Sequence, residues 1–426
     1  MPSAKRSVVR RYPVKHGLFA AAVLLAGSSM AGLDHANAQG VVGHSPSQTP
    51  RASTGTGPGL SRLPLISESV FPLGGTTETF RGREGTPGAG PRASSGASAG
   101  KASSAEEDED DIAPRAFGTQ NWPYTHARVA NTNIGFGTPV ARVPVTGYPF
   151  RATGKLLMTF GSSTFVCSAS LIKKGVLVTA AHCVHDYGKK AAGWATNVRF
   201  YPANVSNPST TAQPYGVFTA RRMYIPTVYF NGTDTCQAGA VGVVCNNDIA
   251  VIVLNTRSGS YAGSIVGWYT YGWNGYSYVT SSQFGNQRVA DITQLGYPVA
   301  WDSGYQMQRN NSFGKRVLGT GTNGKQLINT QLGSAMTGGS SGGPWMVNFG
   351  TNAAITNSDA TAGSAATRLV VVGTTSWGYT TPGPKVQGAS YFGQNNEFPN
   401  ANYGGRGAGN IGALVNTACT AFPAYC

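Results

Sequence analysis

Charge is scarce in this chain of 426 residues, and acid is scarcer than base. Charged residues make up 12%, with 17 Asp and Glu against 32 Lys and Arg. Beyond residue 116 only six aspartates and one glutamate remain, with three histidines, and no histidine follows residue 185. After the N-terminal region no run reaches the eighteen or so apolar residues that a membrane helix needs, so no membrane span is expected in the processed protein. There is no Cys-x-x-Cys, which argues against the usual zinc ribbons and redox motifs. No repeat of fixed period appears, which excludes a solenoid. Strand and helix patterns do not alternate, which excludes a doubly wound parallel sheet.

What is present is glycine, at 58 positions, and short β-forming runs between turn residues. The runs are Lys155–Gly161, Thr164–Ile172, Val176–Thr179, Val198–Tyr201, Asp248–Leu254, Gln326–Leu332 and Leu369–Ser376. Their length and spacing predict an all-β sandwich or barrel. One short helix is expected, over Ile411–Thr417.

The N-terminus reads as an export signal over residues 1–38. Lys5, Arg6, Arg10, Arg11 and Lys15 precede an apolar run from Leu18 to Ala26, and Ala36-Asn37-Ala38 offers a small-x-small cleavage site. Ordinary secretion is preferred to a twin-arginine route, because Pro13 stands where that signal wants a hydrophobe. A secreted or periplasmic destination follows. Residues 39–116 are rich in Gly, Ser, Pro and Thr and end in the acidic run Glu106–Asp111. Such a stretch buries too little apolar surface to offset the entropy of ordering, and is expected to be disordered or a removable pro-segment, cut near Arg115. The acidic run is either a solvated linker or a mask laid on a basic catalytic domain.

Residues 117–426 carry twenty Lys and Arg against seven acids. That surplus serves solubility, or attracts anionic surfaces. No basic-aromatic module of a nucleic-acid binder is visible, so no specific nucleic-acid partner is expected. Six cysteines fall into three sequence-local couples, Cys167 with Cys183, Cys236 with Cys245, and Cys419 with Cys426. An oxidising compartment would keep such couples closed, although six cysteines permit 15 pairings.

Chemistry concentrates in three places. Gly339-Ser340-Ser341-Gly342-Gly343-Pro344 brackets a serine with glycines, allowing a tight turn that exposes Ser341 and aims neighbouring N–H groups at one point. Val176-Leu177-Val178-Thr179-Ala180-Ala181-His182-Cys183 is a buried strand running into a turn of small residues that ends on a histidine. Asn246-Asn247-Asp248 sets a carboxylate at the mouth of the apolar strand Ile249–Leu254, a costly position unless the carboxylate is paired. An imidazole N–H is a suitable partner. Alone, His182 would read as a satisfied core histidine and Asp248 as a strand-start cap, a role that fits Asp234 or Asp302 better. A metal pair of His182 with His185 lacks third and fourth ligands, so no metal or other cofactor is expected, and His185 is expected at the surface.

The order of these residues discriminates between hydrolases. Gly339-x-Ser341-x-Gly343 also fits a nucleophile elbow, but that fold needs its histidine after the serine. A subtilisin order needs an aspartate before the histidine, and residues 117–181 contain none. Histidine, then aspartate, then serine remains.

Together Thr179-Ala180-Ala181-His182-Cys183, Asp248-Ile249-Ala250, Gly339-Ser340-Ser341-Gly342-Gly343-Pro344 and Ser376-Trp377-Gly378 resemble the chymotrypsin/trypsin-like serine peptidases, over roughly residues 140–420. Tyr148-Pro149-Phe150 and Gly296-Tyr297-Pro298 are similar to segments of the bacterial glutamyl-endopeptidase-like branch. The resemblance implies two antiparallel six-stranded β-barrels, near residues 140–270 and 280–420, and a secreted, monomeric endopeptidase acting on protein or peptide substrates. His182, Asp248 and Ser341 would be catalytic, and the N–H groups of Gly339 and Ser341 would form the oxyanion hole. Ser376, Trp377 and Gly378 would pair with substrate backbone as an added strand.

The departures are informative. Ser340 replaces the aspartate that pairs with a new N-terminus in trypsin-like zymogens, so that activation route is not expected. Thr375 replaces the histidine on which glutamate preference relies. Ala335, six residues before Ser341, replaces the aspartate that captures Arg or Lys. With Met336, an open Gly378 and Gly388 on the far wall, the expected pocket is neutral, for apolar or aromatic residues. The competing reading is a catalytically silent binding protein that uses its basic surface to hold an anionic partner.

Overall fold

The computed structural model describes residues 40–48, 60–61, 63–67, 122–129, 144–206, 212–350, 367–380 and 384–426. The expected export signal, the acidic run Glu106–Asp111 and the processing point near Arg115 lie outside the described residues.

Two β-sheets make the fold. In chain order the strands are β1 (Val41–His44), β2 (Leu60–Ser61), β3 (Leu65–Ile66), β4 (Tyr124–Arg128), β5 (Thr153–Phe160), β6 (Ser163–Lys173), β7 (Val176–Thr179), β8 (Thr196–Pro202), β9 (Phe218–Pro226) and β10 (Ala250–Leu254). They continue as β11 (Thr270–Tyr271), β12 (Val279–Ser281), β13 (Gln287–Gly296), β14 (Gln308–Thr320), β15 (Gln326–Gly333), β16 (Pro344–Val347), β17 (Val370–Thr374), β18 (Trp377–Tyr379) and β19 (Val386–Ser390).

In the first sheet β9, β10, β7, β6, β5 and β8 bond in that order, and β8 returns to β9. Six strands thus close a barrel, which removes the open edges that a flat sheet would expose. Its interior is filled by Leu156, Met158, Leu171, Leu177, Phe200 and Ile252, all under 1% exposed. The second sheet runs β16-β13-β14-β15-β19-β18. β17 and β18 belong to one run of chain, the former bonded to β16 and the latter to β19, so this sheet also closes on itself. The all-β expectation of two antiparallel barrels matches this architecture.

Three boundaries differ from expectation. Helix α3 spans Gly409–Ala421, longer than Ile411–Thr417, and packs on β9, β10 and β1 of the first sheet rather than closing the second barrel near residue 420. The short helices α1 (Thr227–Asn231) and α2 (Ala262–Val266) were not expected. Residues 40–48, expected to be disordered or removable, are built into the first sheet. β1 pairs antiparallel with β9, Val41 and Val42 are 1% and 5% exposed, and Asn197 N donates to Ser47 O at 3.0 Å. A Val-Val pair supplies the apolar surface that the rest of that stretch lacks.

Candidate active site

β7 delivers His182. The strand ends at Thr179, and the buried Ala180 and Ala181 lead into a single 3-10 turn over Ala181–Cys183. Small residues let that turn lie flat against the barrel. The Cys167–Cys183 disulfide ties it to β6. His182 is 4% exposed, its backbone N–H donates to Asp248 Oδ1 at 2.8 Å, and its Nδ1 lies 2.7 Å from Asp248 Oδ2. An ionised carboxylate only accepts, so Nδ1 carries the proton and Nε2 is free to take one.

Asp248 is fully buried. It precedes β10 rather than starting it: Asn246 N donates to Thr235 O, Asn247 N to Asp234 Oδ2 and Asp248 N to Ser390 Oγ, none of them a group of the neighbouring strands β7 and β9. Asp234 accepts from Asn247 N at 2.9 Å and from Asn247 Nδ2 at 2.7 Å, and Glu397 accepts from Asn246 Nδ2 at 3.1 Å. Asn246 Oδ1 accepts from Ile328 N at 2.7 Å, which joins this loop to β15. The Cys236–Cys245 bond closes the loop just ahead of the two asparagines. Burial pushes the Asp234 carboxyl well above the usual carboxylate range, with the Asn247 hydrogen bonds opposing. The cap reading of Asp234 fits its bonds to Thr235 N and Asn247 N. Its part in holding the approach to Asp248 was missed, as was that of Glu397. The paired asparagines before Asp248 were the signal.

Ser341 sits on the turn between β15 and β16. Gly339 has φ +96°, and a Cβ there would lie 2.4 Å from Tyr297 O, so only glycine fits. Gly342 has φ +76°, and a Cβ would lie 1.9 Å from Thr179 Oγ1 on β7. The turn is thus pressed against the strand that carries His182. Ser168 N, one residue past Cys167, donates to Ser341 O at 2.7 Å, and Ser168 Oγ donates to Gly339 O at 2.9 Å. Ser341 Oγ is buried without a hydrogen-bond partner among the described residues. Among the described residues no backbone acceptor meets the N–H of Gly339 or of Ser341. Buried polar groups left unpaired in this way call for a ligand or a chemical role.

The remaining expected residues surround this turn. Ser376, expected only as substrate edge, donates Oγ to Asp248 Oδ2 at 2.5 Å. Trp377 is fully buried, gives Nε1 to Asn329 Oδ1 at 2.8 Å, and lays its ring over Gly388, where a Cβ would come within 2.0 Å. Gly388 is therefore covered by Trp377. Ala335 is half-buried and Met336 is 4% exposed. Behind them lies a polar layer unseen in the sequence. Ser334 Oγ donates to Gln294 Oε1 at 2.8 Å, Gln294 Nε2 donates to Thr375 Oγ1 at 2.8 Å, and Gln387 Nε2 donates to Met336 O at 2.8 Å. Ser340 Oγ is satisfied within its own turn by Thr337 O at 2.7 Å.

Three expectations fail here. The glycine turn does not expose Ser341, which is fully buried because the turn packs against β7. His185 is not at the surface: it is fully buried, packs edge-on against Trp194, and places Nε2 2.7 Å from Lys190 O. Gly378 is not open, because Leu63 comes within 3.3 Å of where its Cβ would be. The cysteines form the three sequence-local disulfides. Ligand atoms of Cys167, His182 and Cys183, and of Asp234, Cys236 and Cys245, cluster within 4.8 Å, but in each group both sulfurs are held in a disulfide and offer no thiolate.

The pattern of the family described as Trypsin matches residues 144–393. The chain is 31% identical over 128 residues to the extracellular metalloprotease of Bacillus subtilis (strain 168), which covers 30% of this chain and 34% of that relative, about a third of its length. Among solved structures it is similar to the protease Anisep from Arthrobacter nicotinovorans, at 25% identity and TM-score 0.40, covering 57% of this chain and 91% of that one. It is also similar to a Glu endopeptidase, at 17% identity and TM-score 0.39, covering 70% of this chain and 95% of that one.

Proposed function

Because the chain belongs to the trypsin family of serine peptidases, we propose that it is an endopeptidase that hydrolyses peptide bonds through an acyl-enzyme on Ser341, with His182 as base and Asp248 as its orienting partner. The observation that carries this reading is the His182 Nδ1 to Asp248 Oδ2 contact of 2.7 Å, at the end of the strand against which the Ser341 turn is pressed. With Nδ1 committed, His182 Nε2 takes the Ser341 proton as Oγ attacks the substrate carbonyl. Negative charge develops on the carbonyl oxygen, and the uncommitted N–H groups of Gly339 and Ser341 are available to receive it. Collapse of the tetrahedral intermediate breaks the C–N bond, and His182 returns its proton to the leaving amine. Water, activated by the same imidazole, then releases the acid and restores Ser341.

Neutral substrates fit best. None of Ala335, Met336, Thr375, Trp377, Gly378, Gln387 and Gly388 carries a charge that would capture Arg, Lys or Glu. We assign the preference to apolar or aromatic residues, and the destination to the cell exterior, supported by three disulfides and the N-terminal export pattern. Covalent labelling by a fluorophosphonate, lost in Ser341→Ala, tests the mechanism. Hydrolysis that stopped on chelation while Ser341 stayed unlabelled would overturn it. Reporter peptides ending in Phe, Arg or Glu test the pocket, and a clear Arg or Glu preference would remove the neutral assignment.

A further inference from the structure

Within a Gly- and Ser-rich region lies the apolar run Leu63-Pro64-Leu65-Ile66, and the fold places it on the edge expected to receive substrate backbone. β3 pairs parallel with β18, Leu65 opposite Gly378 and Ile66 opposite Tyr379. Gly378 N donates to Pro64 O at 3.0 Å. Leu63 is only 8% exposed, and it fills the space over Gly378. Slightly earlier, β2 pairs parallel with β6, Leu60 opposite Phe165 and Ser61 opposite Val166. Val166 immediately precedes Cys167 and Ser168, and the Ser168 N–H holds Ser341 O. The two ends of one short segment therefore lie on either flank of the Ser341 turn.

We propose that residues 60–61 and 63–67 are a built-in occupant of the peptide-binding cleft, an intramolecular inhibitor that must leave before a substrate can add to β18. The proposal rests on the endopeptidase reading above. Strand addition satisfies edge N–H and carbonyl groups whichever chain supplies the strand, so the segment and a substrate compete for the Gly378 N–H. Its covalent link makes that competition intramolecular. The segment binds without reacting. Among the described residues none of its carbonyls meets the N–H of Gly339 or Ser341, and Ser341 Oγ bonds to nothing. The pairings are short and Leu65 is 54% exposed, as suits a segment that can be released.

The test compares the full chain with its Leu63→Asp variant, which places a charge against Gly378. In the Ser341→Ala background, where no self-cleavage can confuse the result, amide exchange is read over Trp377–Tyr379. We expect exchange at the Gly378 N–H to quicken at least tenfold in Leu63→Asp. Unchanged exchange there would overturn the proposal, whatever the activity. In chains that keep Ser341, the initial rate on a neutral reporter peptide should rise about tenfold, and a synthetic peptide of residues 60–67 added in trans should reverse the gain. Equal rates with Ser341 labelled equally by fluorophosphonate would overturn the inhibitor while leaving the peptidase reading intact. Quickened exchange with no labelling in either chain would support the occupant and defeat the peptidase reading.

Discussion

The two barrels reach rigidity by different means. Every disulfide lies on the first: Cys167–Cys183 beside His182, Cys236–Cys245 ahead of Asp248, and Cys419–Cys426 at the end of the helix packed on β9 and β10. Its central strands β7 and β10 are almost wholly apolar. Residues 270–393 contain no cysteine. The second barrel instead buries Gln294, Asn310, Asn329, Thr330, Gln331 and Gln387, each 1% exposed or less. Covalent loops and close-packed aliphatics hold the imidazole and carboxylate within hydrogen-bond reach of each other, as proton transfer requires. Directional amide and hydroxyl bonds fix the shape of the wall against which a side chain of the substrate must fit. The first barrel braces the proposed base and its carboxylate, while the second, which also carries Ser341, shapes the proposed wall for a substrate side chain.

The largest test of that division is Asp248→Asn. Loss of the charge and of the correct tautomer should lower kcat by roughly ten-thousandfold with the melting temperature little changed, as read by steady-state hydrolysis and thermal unfolding. A fall of less than tenfold would mean that the first barrel does not set the chemistry. Next comes the paired replacement Cys236→Ser with Cys245→Ser. Opening that small loop should cost about 2–3 kcal/mol in urea unfolding and lower kcat more than it raises KM, since the approach to Asp248 loosens. Gln294→Ala is its counterpart in the second barrel. It leaves Ser334, Thr375 and Gln387 short of partners, at a cost of about 1–3 kcal/mol, and should alter KM and side-chain preference more than kcat on the best substrate. Similar kcat losses from both would break the comparison.

Local pattern made β7 legible to the residue, and it placed β5, β6, β8 and β15 within a few positions. The histidine turn, the serine turn and the carboxylate could be marked because small residues, glycines and a lone buried charge leave a local trace. Asp248 and Ile249 were read as the start of a strand that begins only at Ala250, since Asn246 and Asn247 ahead of them take partners 13 and about 150 residues away that no window of sequence contains. His185 was misplaced for the same reason: the ring that buries it, Trp194, arrives nine positions later on a turn without periodicity. Val41-Val42 and Leu63-Pro64-Leu65-Ile66 were lost by averaging, each a short apolar island in a long polar stretch. A few residues suffice once a neighbouring strand offers free N–H groups.

Lys155 tests how far the first barrel can carry an unpaired charge. It is 2% exposed, its Nζ has no hydrogen-bond partner, and it faces the Tyr305 ring at 5.2 Å. Burial pushes its ammonium down from 10.5 to about 8. Below pH 8 both folded and unfolded chains hold the proton, so the full cost of burying the charge is present. Between pH 8 and 10.5 the unfolded chain binds more protons than the folded one, and stability rises with pH. Lys155→Met should therefore stabilise the protein at pH 7 by about 2 kcal/mol, and the advantage should shrink as the pH passes through that window. Urea unfolding at pH 7 and pH 10 measures both. An equal gain at the two values would show that packing, not charge, limits this site.

The smallest effect expected is also the one that joins the barrels. Ser376 belongs to the run between β17 and β18, yet its hydroxyl donates to Asp248 Oδ2 at 2.5 Å. With Ser390 Oγ, which accepts from Asp248 N at 3.0 Å, it holds the His182–Asp248 pair from the second barrel. A hydrogen bond to a buried carboxylate contributes about 1.5–3 kcal/mol, part of which a rotated Asp248 can recover through the His182 backbone N–H that it already accepts at 2.8 Å. Ser376→Ala should therefore lower kcat roughly tenfold with KM unchanged, and Ser376→Thr, which keeps the donor, should restore most of the rate. A rise in KM without loss of kcat would place Ser376 on the substrate edge alone. The second barrel would then hold the pair only through the Asp248 N–H that Ser390 Oγ accepts, among the described residues, and the separation between the two barrels' parts would be sharper.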